Sequence, residues 1–313
     1  MPRNTPWAGR LKIPAIAAPM TAVSGPELVL EACRNGVIGA FPTHNASSIR
    51  ELDDWLSRMG DALSPLCAPV AANLVVHRSN GRLHADLDCL ARRGVELVIT
   101  SVGSPKAVVE PIHDFGARVF ADVASLEHAR RALDSGVDGL VLLTAGAGGQ
   151  TGWANPFAFV RAVRAHYDGP LVLAGGIGDG RSMLAAEILG VDLAYLGTRF
   201  IAASESMADD SYRQAVVDST LDDVRLSSRV GGIPASLLGR WLDSVDNTTA
   251  DVTTGAGFEQ DRLLSNRTAW SAGHSVSSVS AVCSVSELVT TLAQEYRQAR
   301  HDLRQGLVTG VSL

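Results

Sequence analysis

Glycine clusters beside single polar side chains recur at the ends of apolar runs in this chain. The densest is TAGAGGQTGW, residues 144–153, which breaks the run GLVLLTA and surrounds one amide, Gln150, with glycines at 146, 148, 149 and 152. Glycine lets a backbone come close to something flat or anionic, and Gln150 is the long polar side chain aimed at it. An amide has no proton equilibrium near neutral pH. Gln150 therefore offers a hydrogen bond to a nitro, nitronate or carbonyl oxygen but does not act as a general base. Two imidazoles also follow apolar runs: His44 after VIGAFP and His77 after APVAANLVV. With an ordinary pKa of about 6.5, either is chemically suited to proton transfer, and either can equally brace its own loop.

Two other glycine sites belong together. AGGIGDGRS and LGTRF place Gly175, Gly176, Gly197 and Thr198 where backbone N–H groups and a helix N-terminus can hold a phosphate; tight turns are the plain alternative. Asn73 brings a side-chain amide to the end of the third apolar run, Gly148 and Gly149 line a face at the sixth, and Asp122 ends the fifth, with a ligand or a structural role. Together they outline a site for a flat phosphorylated cofactor such as FMN, although spacing alone fits a sugar phosphate as well. Trp153 is placed either to wall this pocket or to lie exposed.

These residues need elements to position them. Eight short apolar runs recur: residues 13–19, 37–42, 68–76, 96–101, 117–123, 139–145, 170–176 and 193–200. Runs that are apolar on both alternations suit parallel strands covered on both faces. Between them, segments such as SSIRELDDWLSRMG and SLEHARRALDSG have helical periodicity, with Ser, Asp or Pro at the start and glycine at the end. This predicts an α/β chain folded as a (β/α)8 TIM barrel, whose chemistry sits at the C-terminal ends of the strands. Residues 1–202 and 271–313 should form the barrel. Residues 203–270, mixed and partly polar, read as an insertion or lid over its mouth, and SELVTTLAQEYRQARHDL as a final amphipathic helix.

Composition narrows the partners. A formal charge of −6 without a Lys/Arg run argues against nucleic acid. No apolar run approaches the roughly 20 residues that span a bilayer, and the start of the chain lacks the apolar stretch of a signal peptide, so a cytoplasmic protein is expected. Cys33, Cys67, Cys89 and Cys283 are far apart in sequence and form no CxxC pair, which points to free thiols and to no metal. Composition leaves the oligomeric state open.

The motifs PAIAAPM, GVIGAFPTHNA, ANLVVHRSN, GVDGLVLLTAGAGGQTG, GPLVLAGGIGDGR and GVDLAYLGTRFIA, in this order, resemble the nitronate monooxygenase (2-nitropropane dioxygenase-like) family of FMN-dependent barrels. The similarity runs from about residue 11 to 220, with a weaker echo at WSAGHS, which contains His274. It implies FMN held near Ala18, Pro19 and Met20 and by Asn73, with its phosphate on Gly175, Gly176, Gly197 and Thr198. It also implies oxidation of an alkyl nitronate, or a related small carbanion, by O2 through one-electron transfer to the flavin. The family also includes FMN-dependent enoyl reductases, so an NAD(P)H-dependent reductase of an enoyl thioester is the alternative, and a non-catalytic flavin-binding pathway protein is another. Family members carry a histidine, as base or anion-binding group, where this chain has Gln150. Oxidation of a preformed nitronate survives that change, whereas a neutral nitroalkane would need another base.

Overall fold

The computed structural model describes residues 5–245 and 257–309. Eight parallel strands close into a barrel: β1 (Ala15–Ala17), β2 (Ile38–Pro42), β3 (Val70–Val75), β4 (Leu97–Ser101), β5 (Arg118–Val123), β6 (Gly139–Leu143), β8 (Leu171–Ala174) and β9 (Leu193–Leu196), with β9 pairing back to β1. Each lies within one of the eight apolar runs, so the TIM barrel expected from the sequence is the fold. Alternation divides every strand between two cores. Ile16, Ala71, Ile99, Phe120, Val141, Val172 and Leu193 fill the inside of the barrel. Their neighbours, such as Ala72, Val98, Val119, Leu140 and Leu173, face the surrounding helices. The bottom is plugged by Trp7, whose ring lies 6.1 Å from that of Phe120 and whose Nε1 donates to Glu96 at 3.2 Å.

The helices start and stop where their end residues dictate. Ser48 and Ser125 accept hydrogen bonds from the backbone N–H groups of Glu51 and His128, both at 3.1 Å, capping the helices Ile49–Ala62 and Leu126–Asp134. Gly136, at φ +86°, turns the chain out of the second of these in a conformation that other residues resist.

After β9 the chain forms the helix Asp210–Val217 and an antiparallel pair, β10 (Val224–Ser227) and β11 (Ala235–Leu238). A two-residue strand from the glycine segment, β7 (Gly149–Gln150), joins this pair against β11. Residues 144–153 are therefore not a plain turn. They reach up and become the edge of a small sheet shared with the insertion. Residues 253–256, in the TTGAGFEQD stretch of that insertion, lie outside the described residues.

The final helix, Val285–Thr309, returns to the barrel as expected and crosses the helix Gly180–Leu189 at a point only glycine permits. A Cβ on Gly180 would lie 2.0 Å from the backbone nitrogen of Tyr296. The Gly180 N–H donates to Glu295 at 3.0 Å, tying the two helices together. Gly180→Ala should therefore cost about 1–3 kcal/mol through overpacking. Gly60→Ala, in an exposed helical position with open space around it, should stabilise by about 0.5–1 kcal/mol. Thermal unfolding of the two variants should move the midpoint in opposite directions, and equal shifts would contradict this packing.

Candidate active site

The last inward-facing residue of each strand lies two positions beyond the interior core, and these eight residues form a floor across the C-terminal mouth. They are Ala18, Pro42, Asn73, Ser101, Asp122, Leu143, Ala174 and Tyr195, and all of them line one cavity. Four carry polar side chains, which divide into two pairs. Asn73 donates to the Ile99 carbonyl at 3.1 Å and accepts from Ser101 Oγ at 3.3 Å, so this pair is satisfied within the protein. Asp122 Oδ1 and the Tyr195 hydroxyl are buried and have no hydrogen-bond partner among the described residues. Burial pushes the Asp122 carboxyl up to about 8, which keeps it protonated at neutral pH. Burial, aided by the nearby Asp122, raises the Tyr195 phenol well above its ordinary range.

One wall is the segment after β1. Asn45 holds it in place: its Nδ2 donates to the Met20 and Ser24 carbonyls at 2.9 and 2.8 Å, and its Oδ1 accepts from the Ala22 N–H at 2.9 Å. Pro19, Met20 and Thr21 consequently face the cavity. His44 also lines it, with Nε2 2.9 Å from Thr21 Oγ1. Burial, with the Arg267 and Arg82 guanidiniums nearby, pushes His44 down to about 4, so it is neutral at physiological pH and a weak base. Across the mouth, Val102 adopts φ +50°, which strains a β-branched residue and is typical of backbone fixed at a functional site.

On the β8 and β9 side, Gly175, Gly176, Gly197 and Thr198 converge on the cavity. Gly176 has φ +72°, and an added Cβ there would meet nothing within 4 Å, so the backbone faces open space. The start of the helix Gly180–Leu189 is already occupied by the Asp179 carboxylate, which accepts from the Ser182 N–H at 2.7 Å. An anion here is left to the strand-end glycines and to the Thr198 hydroxyl, whose oxygen accepts from the Gly273 N–H at 2.9 Å.

The glycines after β6 answer first to packing within the chain. A Cβ on Gly146 would lie 2.7 Å from the His274 ring, and one on Gly148 would lie 2.8 Å from the Gly273 nitrogen. Gly148 and Gly149 still line the cavity, and so does Gln150. From the insertion, the apolar groups Val230 and Ile233 line the cavity, as does one guanidinium, Arg267, which donates to the Asn45 carbonyl at 3.1 Å.

Of the candidates drawn from the sequence, His77 and Trp153 are not on the cavity wall. The His77 Nδ1 lies 2.7 Å from Ser79 Oγ, and its ring meets Phe258 edge-on at 5.5 Å, the bracing role. Trp153 is 85% exposed and does not wall the pocket. Sequence reasoning missed Tyr195 and Arg267. The first was detectable, because it stands two residues beyond inward-facing Leu193; the second lies in an insertion with no period to read.

The residues fit a flavin. A glycine-lined recess suits a phosphate, and two buried polar atoms at the floor await a partner that a ring with carbonyl and imide groups would supply. Among the described residues, no three His, Cys, Asp or Glu side chains converge as a metal site requires, and no helix is long and apolar enough to cross a membrane.

Asp122 also has a consequence for stability. Its proton is held up to about pH 8 in the folded chain but is released near 3.8 in the unfolded one, so the stability it confers is full below 3.8 and is lost as pH rises through 8. Asp122→Asn removes that loss. The melting temperature of the variant relative to the parent should climb between pH 4 and 8 and then level off; a flat difference would show that the carboxyl titrates normally.

The comparisons with known proteins agree with this geometry. The family model for nitronate monooxygenase matches residues 45–295. A nitronate monooxygenase of Paraburkholderia phytofirmans is 26% identical, with the match covering 93% of this chain and 94% of that protein. A (3aS,4S,5R,7aS)-5-hydroxy-7a-methyl-1-oxo-octahydro-1H-indene-4-carboxyl-CoA dehydrogenase of Rhodococcus jostii is also 26% identical, over 72% of this chain; the match spans 62% of that relative's length. In fold, the chain resembles a nitroalkane oxidase of Streptomyces ansochromogenes, with a TM-score of 0.80, 22% identity and coverage of 93% and 97% of the two chains. FabK of Thermotoga maritima gives a TM-score of 0.79 at 21% identity, with coverage of 95% and 96%. With its family model spanning most of the sequence and an eight-stranded barrel beneath the cavity, the chain belongs to the nitronate monooxygenase family, a family of flavin-dependent oxidoreductases.

Proposed function

We propose that this chain binds FMN and oxidises a preformed alkyl nitronate, or a related small carbanion, with O2. The observation that carries the reading is a cavity offering hydrogen-bond donors and a positive charge to an anion, with no effective base among the described residues on its upper side. Gln150 presents an amide, Arg267 a guanidinium, and His44 is held near 4 by burial. His77, the other imidazole considered, turns away to Ser79.

In this reading Gly175, Gly176, Gly197 and Thr198 hold the phosphate, while the segment 18–20, Asn73 and Asp122 border the ring, with Gly148 and Gly149 beside it. Bound there, flavin would supply the one-electron redox chemistry that links the carbanion to O2. The protein binds and orients the anion. The Gln150 NH2 donates to a nitronate oxygen, Arg267 favours the negative charge, and neutral His44 holds Thr21 in place without competing for a proton. Val230 and Ile233 keep water from the reacting face. We further propose that residues 203–270 act as a lid, and that the protein works in the cytoplasm, a location supported by its unpaired cysteines.

The first test is anaerobic. Purified protein should show flavin absorbance that is bleached by a primary alkyl nitronate and not by NADPH. Bleaching by NADPH alone would favour an enoyl thioester reductase, and protein that takes up no added FMN would defeat both readings. If only the base is missing, Gln150→His should raise turnover of neutral nitroalkane by about 10²- to 10⁴-fold while changing nitronate oxidation little. No gain in an oxygen-consumption assay would show that position 150 does not set that preference.

A further inference from the structure

The floor of the cavity holds two polar groups that the reaction described above does not use. Asp122 Oδ1 and the Tyr195 hydroxyl are both buried, both unpartnered, and both at the last inward position of their strands, β5 and β9. Their neighbours Asn73 and Ser101 satisfy each other, so the want of a partner is specific to this pair. Buried polar atoms are very largely hydrogen-bonded in native proteins, and two orphans facing one cavity mark a ligand edge.

We propose that Asp122, as the neutral acid, and Tyr195 together recognise the polar edge of the bound flavin ring, so that flavin is held in proportion to the protonation of Asp122. This rests on the reading that the cavity takes a flavin. A neutral carboxyl donates through its O–H and accepts through its carbonyl oxygen, matching an edge that presents a carbonyl beside an N–H; a carboxylate only accepts. The phenol adds a second donor. Once ionised, Asp122 would turn a negative charge toward the ring's carbonyl oxygens in a site that desolvates both.

The surroundings leave the carboxyl to behave this way. On β6 the register puts Val141 opposite Asp122, and Ser101, one position beyond the Thr100–Ala121 pair, is its neighbour on β4; neither carries a charge. Of the titratable and charged groups lining the same cavity, Tyr195 feels the charge of Asp122, Tyr212 donates its hydroxyl to the Ser271 carbonyl, and Arg267 bears on His44. Among the described residues no cation lowers Asp122, and burial is what raises it.

The test is FMN affinity, read by quenching of FMN fluorescence between pH 6.5 and 9, for the parent, Asp122→Asn and Tyr195→Phe. Because binding favours the protonated acid, the parent dissociation constant should rise about tenfold from pH 7 to 9. Asp122→Asn keeps a donor and an acceptor and loses the titration, so its profile should stay flat and match the parent at low pH. Tyr195→Phe should weaken binding by about tenfold at every pH, the effect of one lost hydrogen bond. Parallel profiles for parent and Asp122→Asn, with Tyr195→Phe within twofold of the parent, would overturn the proposal and leave the flavin reading intact. Failure of the parent itself to bind FMN would overturn both.

Discussion

Closing eight parallel strands buries each of them on both faces, and that constraint governs where this protein can place polar chemistry. Inside the barrel, Ile16, Phe120, Val141 and Leu193 leave no room for an unsatisfied group. Outside, the helices cover Val98, Val119 and Leu173. The one layer where an inward side chain meets the cavity is the last, which is why Asn73, Ser101, Asp122 and Tyr195 line it together although they come from widely separated parts of the sequence. The site is thus a product of closure before it is a product of any motif.

The same constraint sets the electrostatics. The floor is buried enough to keep a carboxyl protonated at neutral pH, and the wall is buried enough to keep an imidazole unprotonated. Burial disfavours the charged form in both cases, so an acid is raised and a base is lowered. The charge that remains at the cavity is Arg267, contributed by the insertion rather than the barrel. Floor and roof therefore differ in kind: neutral donors below, a cation above.

Much of this was legible in the sequence. The eight strands announced themselves because a strand covered on both faces must be apolar throughout, and the serine-to-glycine boundaries of the helices are local chemistry. Asn73, Asp122 and the glycines at 175, 176 and 197 could be placed because strand ends are easy to locate. Tyr195 was harder, since an aromatic inside an apolar run reads as core until its inward alternation is counted. Arg267 was invisible, because an irregular insertion gives no phase from which to deduce which residue points down. The glycines at 146 and 148 suggested a visiting ligand, yet what comes close is the chain's own segment 272–274. A sequence shows that something must approach, without showing what. His77 followed the right strand, but the companionship of Ser79 and Phe258 is tertiary.

The two-residue strand β7 has its partner in the insertion, with Gln150 opposite Ala235 and Gly149 opposite Ser236. Side chains alternate along a strand, so a slip of a single residue in that register would exchange which of the two faces inward. One alignment gives the cavity an amide, and the other gives it only a hydrogen atom. Strand β11 is therefore a gauge as well as part of the roof: by fixing one pair of backbone partners, it decides whether the loop after β6 presents any functional group at all.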